Sequence, residues 1–245
     1  MQGPRFTISA RAKAPEVPVL AFLARHFSNI PVARIDSVFG FAEYSPLYGG
    51  RAFQRPELND TDIQQLYFAR IGLRLPLTNH YVDEGEYLRS RRFLERHHRE
   101  GNAIICTNDE LARWVRRDFP QYRIEGSVIK NLKSHDRIVE ALEIYDTVVL
   151  PMELNEEEDF LRATPKKEQV TLFANAGCAL TCPSKICYPS FSKFNKTLSG
   201  DLLCSQTLKE RDARGMVDFD LERLTELGFS RFKLLRERPG GMTGH

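Results

Sequence analysis

A chain of 245 residues has room for one large domain or two small ones, and one domain of that size buries about 70–75% of the surface its unfolded chain exposes, so it needs no disulfide scaffold. Its 42% hydrophobic and 28% charged residues and net charge of +2 are those of an ordinary globular protein, permitting an anionic partner without arguing for one. No run of 18 or more apolar residues predicts a membrane span, and the first residues lack the basic start and apolar core of a secretory signal, so a cytoplasmic, reducing compartment is expected.

In chain order, residues 6–10 form a candidate short strand and 19–27 a helix that is apolar almost all round. A rhythm then sets in. Residues 32–39 read as a strand, followed by a loop rich in glycine and aromatics over 40–53. Asn59 caps a helix that opens with acids and ends near Gly72. Residues 73–78 are a strand, although Pro76 counts against a regular central position. A long polar helix over 83–100 stops at Gly101, and 103–106 is a strand. Asn108 starts a helix running to Phe119; 123–129 and 146–150 are strands on either side of a helix over 136–144. Asn155 caps a helix that ends before Pro165, 170–174 is a buried strand, 220–228 a helix and 231–235 a strand.

Strands alternating with helices imply βαβ units and a parallel sheet. About seven strands and six helices predict a single α/β domain over 1–245. The first choice is a TIM-barrel-like (β/α) barrel, irregular or one unit short, with an open doubly wound sheet as the alternative. A cysteine-rich insertion is expected at about 175–217.

Either architecture puts its ligand at the carboxyl ends of the strands. Those ends carry Asn79 and His80, Cys106, Asn108 and Asp109, Lys130 and Asn131, Glu153, Asn175 and Cys178. Asn108 is explained by helix capping alone, and His97 and His98 by the helix dipole. His80, Lys130 and Glu153 are the catalytic candidates, suited to orienting substrate or moving protons. Asn79 and Asn175 are the cofactor-binding candidates, although Asn175 can equally bond loop backbone.

Three of the five cysteines fall within ten residues, as Cys178-x3-Cys182-x4-Cys187. In a reducing compartment this favours metal or redox chemistry over a disulfide framework. Zinc ribbons prefer two separated pairs spaced by two residues, which are absent, whereas three close thiolates with a fourth ligand elsewhere suit a 4Fe-4S cluster. Cys204 is the first candidate for the fourth ligand and Cys106 the second; zinc stays open as the alternative metal, and buried free thiols as the bland alternative. The loop and its continuation also carry Lys185, Tyr188, Phe191, Lys193, Phe194 and Lys196, a mix able to stack and pair an anionic or nucleic-acid ligand or to cover a cluster.

From about residue 48 to 187 the order of pieces resembles the peptidase U-32 family, the collagenase-like peptidases. The resemblance is carried by Gly49-Gly50-Arg51-x-Phe53, by Leu77-Thr78-Asn79, by the stretch from Asn102 to Asp109, by Ile124-Glu125-Gly126-Ser127, by the run from Val148 to Leu154, and by the cysteine loop. It implies a TIM-barrel-like fold and, as in several members, a 4Fe-4S cluster serving oxygen-independent hydroxylation of ubiquinone precursors or RNA bases. It implies cluster ligation at Cys178, Cys182 and Cys187 and leaves the fourth ligand open. One departure is the first cysteine motif, Asn175-Ala-Gly-Cys178 in place of a Gly-x-x-Cys preceded by His-Gly. The expected function is redox modification of a small-molecule or nucleic-acid substrate. The alternatives are a peptidase, although no nucleophile elbow or His-Glu-x-x-His pair is present, and a non-catalytic, metal-stabilised subunit in a hetero-oligomer with a homologous chain.

Overall fold

Short, largely buried strands alternate with helices and close on themselves. The structure, a computed structural model, describes residues 3–182, 184–207, 210 and 215–236. Seven strands lead the chain: β1 (Arg5–Ser9), β2 (Ile35–Phe39), β3 (Gly72–Leu77), β4 (Ala103–Cys106), β5 (Arg123–Gly126), β6 (Thr147–Val149) and β7 (Val170–Phe173). Next come a short antiparallel pair, β8 (Asn175–Ala176) with β9 (Val217–Asp218), and finally β10 (Arg231–Leu234). β10 pairs in parallel with both β1 and β7, so β1 to β7 and β10 make a closed, all-parallel barrel of eight strands. The sequence suggests an incomplete barrel because the first strand is short and ambiguous; the closed ring has no missing unit.

The helices between the strands are α1 (Val19–His26), α2 (Asp60–Phe68), α3 (Glu84–Arg89), α4 (Arg91–Arg96), α5 (Asp109–Asp118), α6 (His135–Leu142), α7 (Glu158–Ala163), α8 (Cys187–Thr197) and α9 (Leu221–Glu226). Their starts follow from capping chemistry. Asn59 and Asp62 form a reciprocal capping box on α2, Asn108 accepts from the Glu110 and Leu111 N–H groups, and Asp220 accepts from Arg223. Each such cap contributes about 1 kcal/mol. The single helix expected over 83–100 is two, because Ser90 turns its hydroxyl back onto the Glu86 carbonyl and ends the first. Pro76 is tolerated because the β2–β3 register ends at Arg74, before the residue without an N–H.

The two faces of each strand do different work. On β4, Ile104 and Cys106 point outward and are fully buried under the helices, while Ile105 faces the cavity at the barrel mouth. The interior departs from the branched apolar filling usual for this fold. Arg74 of β3 reaches Glu125 of β5 (Nη1–Oε2 2.6 Å) and Lys233 of β10 reaches the same carboxylate (Nζ–Oε1 3.3 Å). These strands are not neighbours, so the three side chains meet across the lumen. Thr147 and Thr171 donate to Glu125 at 3.4 Å, and Arg74 continues down to Ser37 (2.5 Å) and Asp36 (3.1 Å). Glu125 is 1% exposed. Burial opposes its ionisation, but Arg74 and then Lys233 outweigh burial and hold the carboxyl far below its usual range.

Candidate functional site

At the carboxyl ends of the strands the chain after β7 leaves the barrel wall. Asn175 anchors that departure: its amide donates to the Leu235 carbonyl (2.9 Å) and its carbonyl accepts from the Leu235 N–H (2.8 Å). A cofactor-binding candidate therefore joins the ends of β7 and β10 by backbone bonds. Beyond it the loop bearing Cys178 and Cys182 crosses the mouth, and Cys187 opens α8. The sequence reading places this stretch in an insertion without regular structure; the helix was hidden by its Cys-Tyr-Pro-Ser start, although Pro is well suited to a first helical turn.

Asparagines hold α8 down. Asn195 donates to the Tyr48 and Arg51 carbonyls (3.1 and 2.8 Å) and accepts from Phe53 N–H (2.7 Å). Asn79 donates to the carbonyls of Pro46, Tyr48 and Ser192 and accepts from Tyr81 N–H. Fully buried and fully engaged, it clamps the helix to the barrel mouth. Gly49 lies so close to Thr78 that a Cβ would collide with its carbonyl oxygen, which brings Arg51 to the rim. Ser190 then receives the return of the chain, donating to Asp201 O (2.9 Å) and accepting from Leu203 N–H (2.8 Å), and this sets Cys204 beside the start of α8.

Beneath this cover is a cavity of ≈ 150 Å³. Cys178, Cys182, Cys187 and Cys204 all line it, and all four are partly exposed and outside any disulfide. Cys187 is pushed up to about 12, first by burial and then by the charges of Cys182, Cys178 and Cys204. Burial also acts to raise Cys182, yet the Ser205 hydroxyl (3.3 Å), the N–H groups of Lys185 and Ser184 and the Lys185 charge together lower it. Lys185 makes its backbone contact from a left-handed conformation (φ 50°), uncommon for a side chain of its kind.

The four sulfurs ring a cavity. Among the described residues, no three His, Cys, Asp or Glu side chains close on one ion. Zinc–sulfur bonds of about 2.3 Å would draw tetrahedral thiolates to about 3.8 Å from one another. All four donors on this lining are thiols, the ligand type that zinc and iron–sulfur clusters both take. Cys106, on the outward pleat of β4, is fully buried away from the cavity, its thiol raised by burial.

The three catalytic candidates are not brought to one point. His80 and Glu153 line a second, adjoining groove with Lys133, Lys185 and Cys182. His80 Nδ1 meets Ser192 Oγ at 3.0 Å, and burial lowers its pKa, keeping the ring neutral. Glu153 lies between Lys133 (2.8 Å) and Lys185 (3.3 Å); burial favours its protonated form, but the two lysines prevail and lower it. Lys130 lines neither space. Its ammonium is held by Asp109 (2.5 Å) and the Thr107 carbonyl (3.2 Å), and Asp109 also receives the Tyr145 hydroxyl. The sequence reading missed Lys233, which joins the barrel network to the cavity floor. Its signal was available: a lone charge between apolar neighbours, Phe232-Lys233-Leu234, repeated in Leu73-Arg74-Leu75 and Ile124-Glu125-Gly126.

No family profile matches the sequence, and no curated protein matches it. Among solved structures, a U32 peptidase is similar at a TM-score of 0.63 and 11% identity, covering 97% of this chain and 95% of its own. Glycerophosphodiester phosphodiesterases from Agrobacterium tumefaciens and Galdieria sulphuraria (the latter a putative one) each give a TM-score of 0.45, at 11% and 12% identity; 97% of this chain is covered in both, with 98% and 95% of theirs. At such identities the first likeness speaks to the fold alone, a TIM-barrel-like (β/α) barrel, and the other two carry no weight. No helix among the described residues is long and apolar enough to cross a membrane.

Proposed function

We propose that the protein is an iron–sulfur protein that carries out oxygen-independent redox modification of a substrate at the barrel mouth. The observation that carries this reading is the gathering of Cys178, Cys182, Cys187 and Cys204 around one cavity, while Cys106 is turned away from it. Those four residues would hold the cluster, which when bound supplies electrons one at a time. The chain's own groups supply the rest. Lys185 and the Ser205 hydroxyl stabilise the Cys182 thiolate as a ligand. The apolar residues Phe39, Met152 and Phe173 line the same space and keep water from it. Neutral His80 and ionised Glu153 share the adjoining groove with Cys182 and would accept or pass a proton there.

The peptidase reading has thinner support. His80 and Cys182 share the second groove, but the His80 nitrogen that faces a partner is taken by Ser192, and among the described residues no third group orients it toward the thiol. Anaerobic purification followed by optical and paramagnetic resonance spectroscopy tests the main reading. A broad visible band that bleaches on reduction, with a signal appearing in the reduced protein, supports it. A colourless protein that stays colourless after reconstitution with iron and sulfide refutes it.

A further inference from the structure

The cationic lining of the cavity is not explained by thiol ligation. Arg11, Arg51, Lys185, Lys233 and Arg236 all line it, and among the described residues no aspartate or glutamate does. Three of these cations are held from outside that lining: Arg51 by Glu57, Lys185 by Glu153 and Lys233 by Glu125. Those three carboxylates lie outside the lining. Lys233, 6% exposed, is carried on a barrel strand, whereas the thiols sit on the loops and on the first residue of α8. Its one bond to Glu125, at 3.3 Å, is longer than the 2.7–2.9 Å typical of a charge-assisted pair. An ammonium has three donors, so capacity is left for a ligand. Its Nζ also lies 4.5 Å from the centre of the Phe39 ring, which forms part of the same wall. Hydroxyls of Ser9, Thr78 and Ser127 complete the polar set.

We propose that the cavity binds a small organic oxyanion, a carboxylate or a phosphate monoester, with its charged group on Lys233 and its body against Phe39, Met152 and Phe173. The inference deepens the reading above by naming the substrate class, yet the binding itself rests on the barrel residues and not on the cluster. The competing account is that the cations only balance the charge of the thiolates.

The test is calorimetric titration of benzoate, phenyl phosphate and the neutral isostere benzamide into the reduced apoprotein and into the iron-loaded protein, with iron content measured separately. At least one oxyanion binds ten times or more tighter than benzamide in both forms, and the comparison of the two shows which oxyanion the site prefers. Lys233→Met removes that preference without changing benzamide affinity, and Lys233→Arg keeps it. Equal affinity for benzoate, phenyl phosphate and benzamide overturns the proposal, as does a preference that survives in folded Lys233→Met. Binding that vanishes on iron loading also overturns it, in favour of charge balance. Should Lys233→Met fail to fold, the wild-type comparison decides alone. Protein that takes up no iron but binds the oxyanion leaves this proposal standing while the cluster reading falls.

Discussion

Replacing Glu125 by Gln probes the network that carries the cavity floor. The substitution conserves shape but removes the one negative charge within reach of both Arg74 (2.6 Å) and Lys233 (3.3 Å). Arg74 keeps Asp36 at 3.1 Å; Lys233 loses its carboxylate altogether. Breaking a buried pair from one side costs about 3–5 kcal/mol, because a charge is left buried without compensation. With Glu125 and Lys233 1% and 6% exposed, solvent screening gives little relief. For a domain of this size that loss lowers Tm by about 10 °C. The same reasoning predicts that Glu125→Leu combined with Lys233→Met recovers part of the loss, since the ammonium left without a carboxylate is gone while Arg74 keeps Asp36. Urea denaturation of the two variants and the wild type is the assay. The pH dependence has a definite sign: the folded carboxyl is depressed, so its contribution is complete above the unfolded value of about 4.3 and is lost as pH falls from there toward the folded one. A Glu125→Gln midpoint corresponding to less than about 1 kcal/mol, or a double variant no better than the single one, would refute the network argument.

Three further outcomes follow from named contacts. His97 is buried and pushed down to about 4, by burial first and Arg96 second, so the fold favours its neutral form. Its stabilising effect is complete above about 6.5 and decays as pH falls toward 4, a loss of about 3 kcal/mol that urea melts of wild type and His97→Phe between neutral and acid pH will separate. Asn195→Ala frees the Phe53 N–H and the Tyr48 and Arg51 carbonyls, and costs about 2 kcal/mol or more; hydrogen exchange should rise along α8, and no rise would show that other contacts hold the helix. Cys106→Ser places a hydroxyl among apolar side chains at a fully buried position, costing about 1–3 kcal/mol in urea melts while leaving the visible spectrum of iron-loaded protein unchanged.

Much of the scaffold was legible because each strand and helix announces itself locally. The Asn59, Asn108 and Asp220 caps fix helix starts, and the apolar runs before Cys106 and Asn175 fix strand ends. Closure was harder to read. It depends on β1 pairing with β10, about 225 residues away in sequence, and no local signal reports a pairing at that distance. Three of the four cysteines that line the cavity were legible by spacing, but that Cys204 lines it and Cys106 does not needed the pleat of β4, which turns one residue in two away from the mouth. Polar residues at strand ends were over-read. Asn79 and Asn175 look like ligand-binding amides in sequence and turn out to satisfy backbone, because a chain that leaves a barrel must find partners for its own N–H and C=O groups. Lys130 was drawn off by Asp109, another strand-end residue, in a pairing that the sequence does not report. The inward charges of Arg74, Glu125 and Lys233 were passed over because a single charge in a short strand reads as an exposed residue until the opposite strand is known.

Iron and acid-labile sulfide per chain, measured on protein purified without oxygen, bear most directly on the cysteines at the mouth. The wild type and Cys106→Ser should each carry about four of both, and serine at position 178, 182, 187 or 204 should lower the content sharply. One zinc per chain, or iron retained without Cys204 but lost without Cys106, would contradict the arrangement on which the function rests.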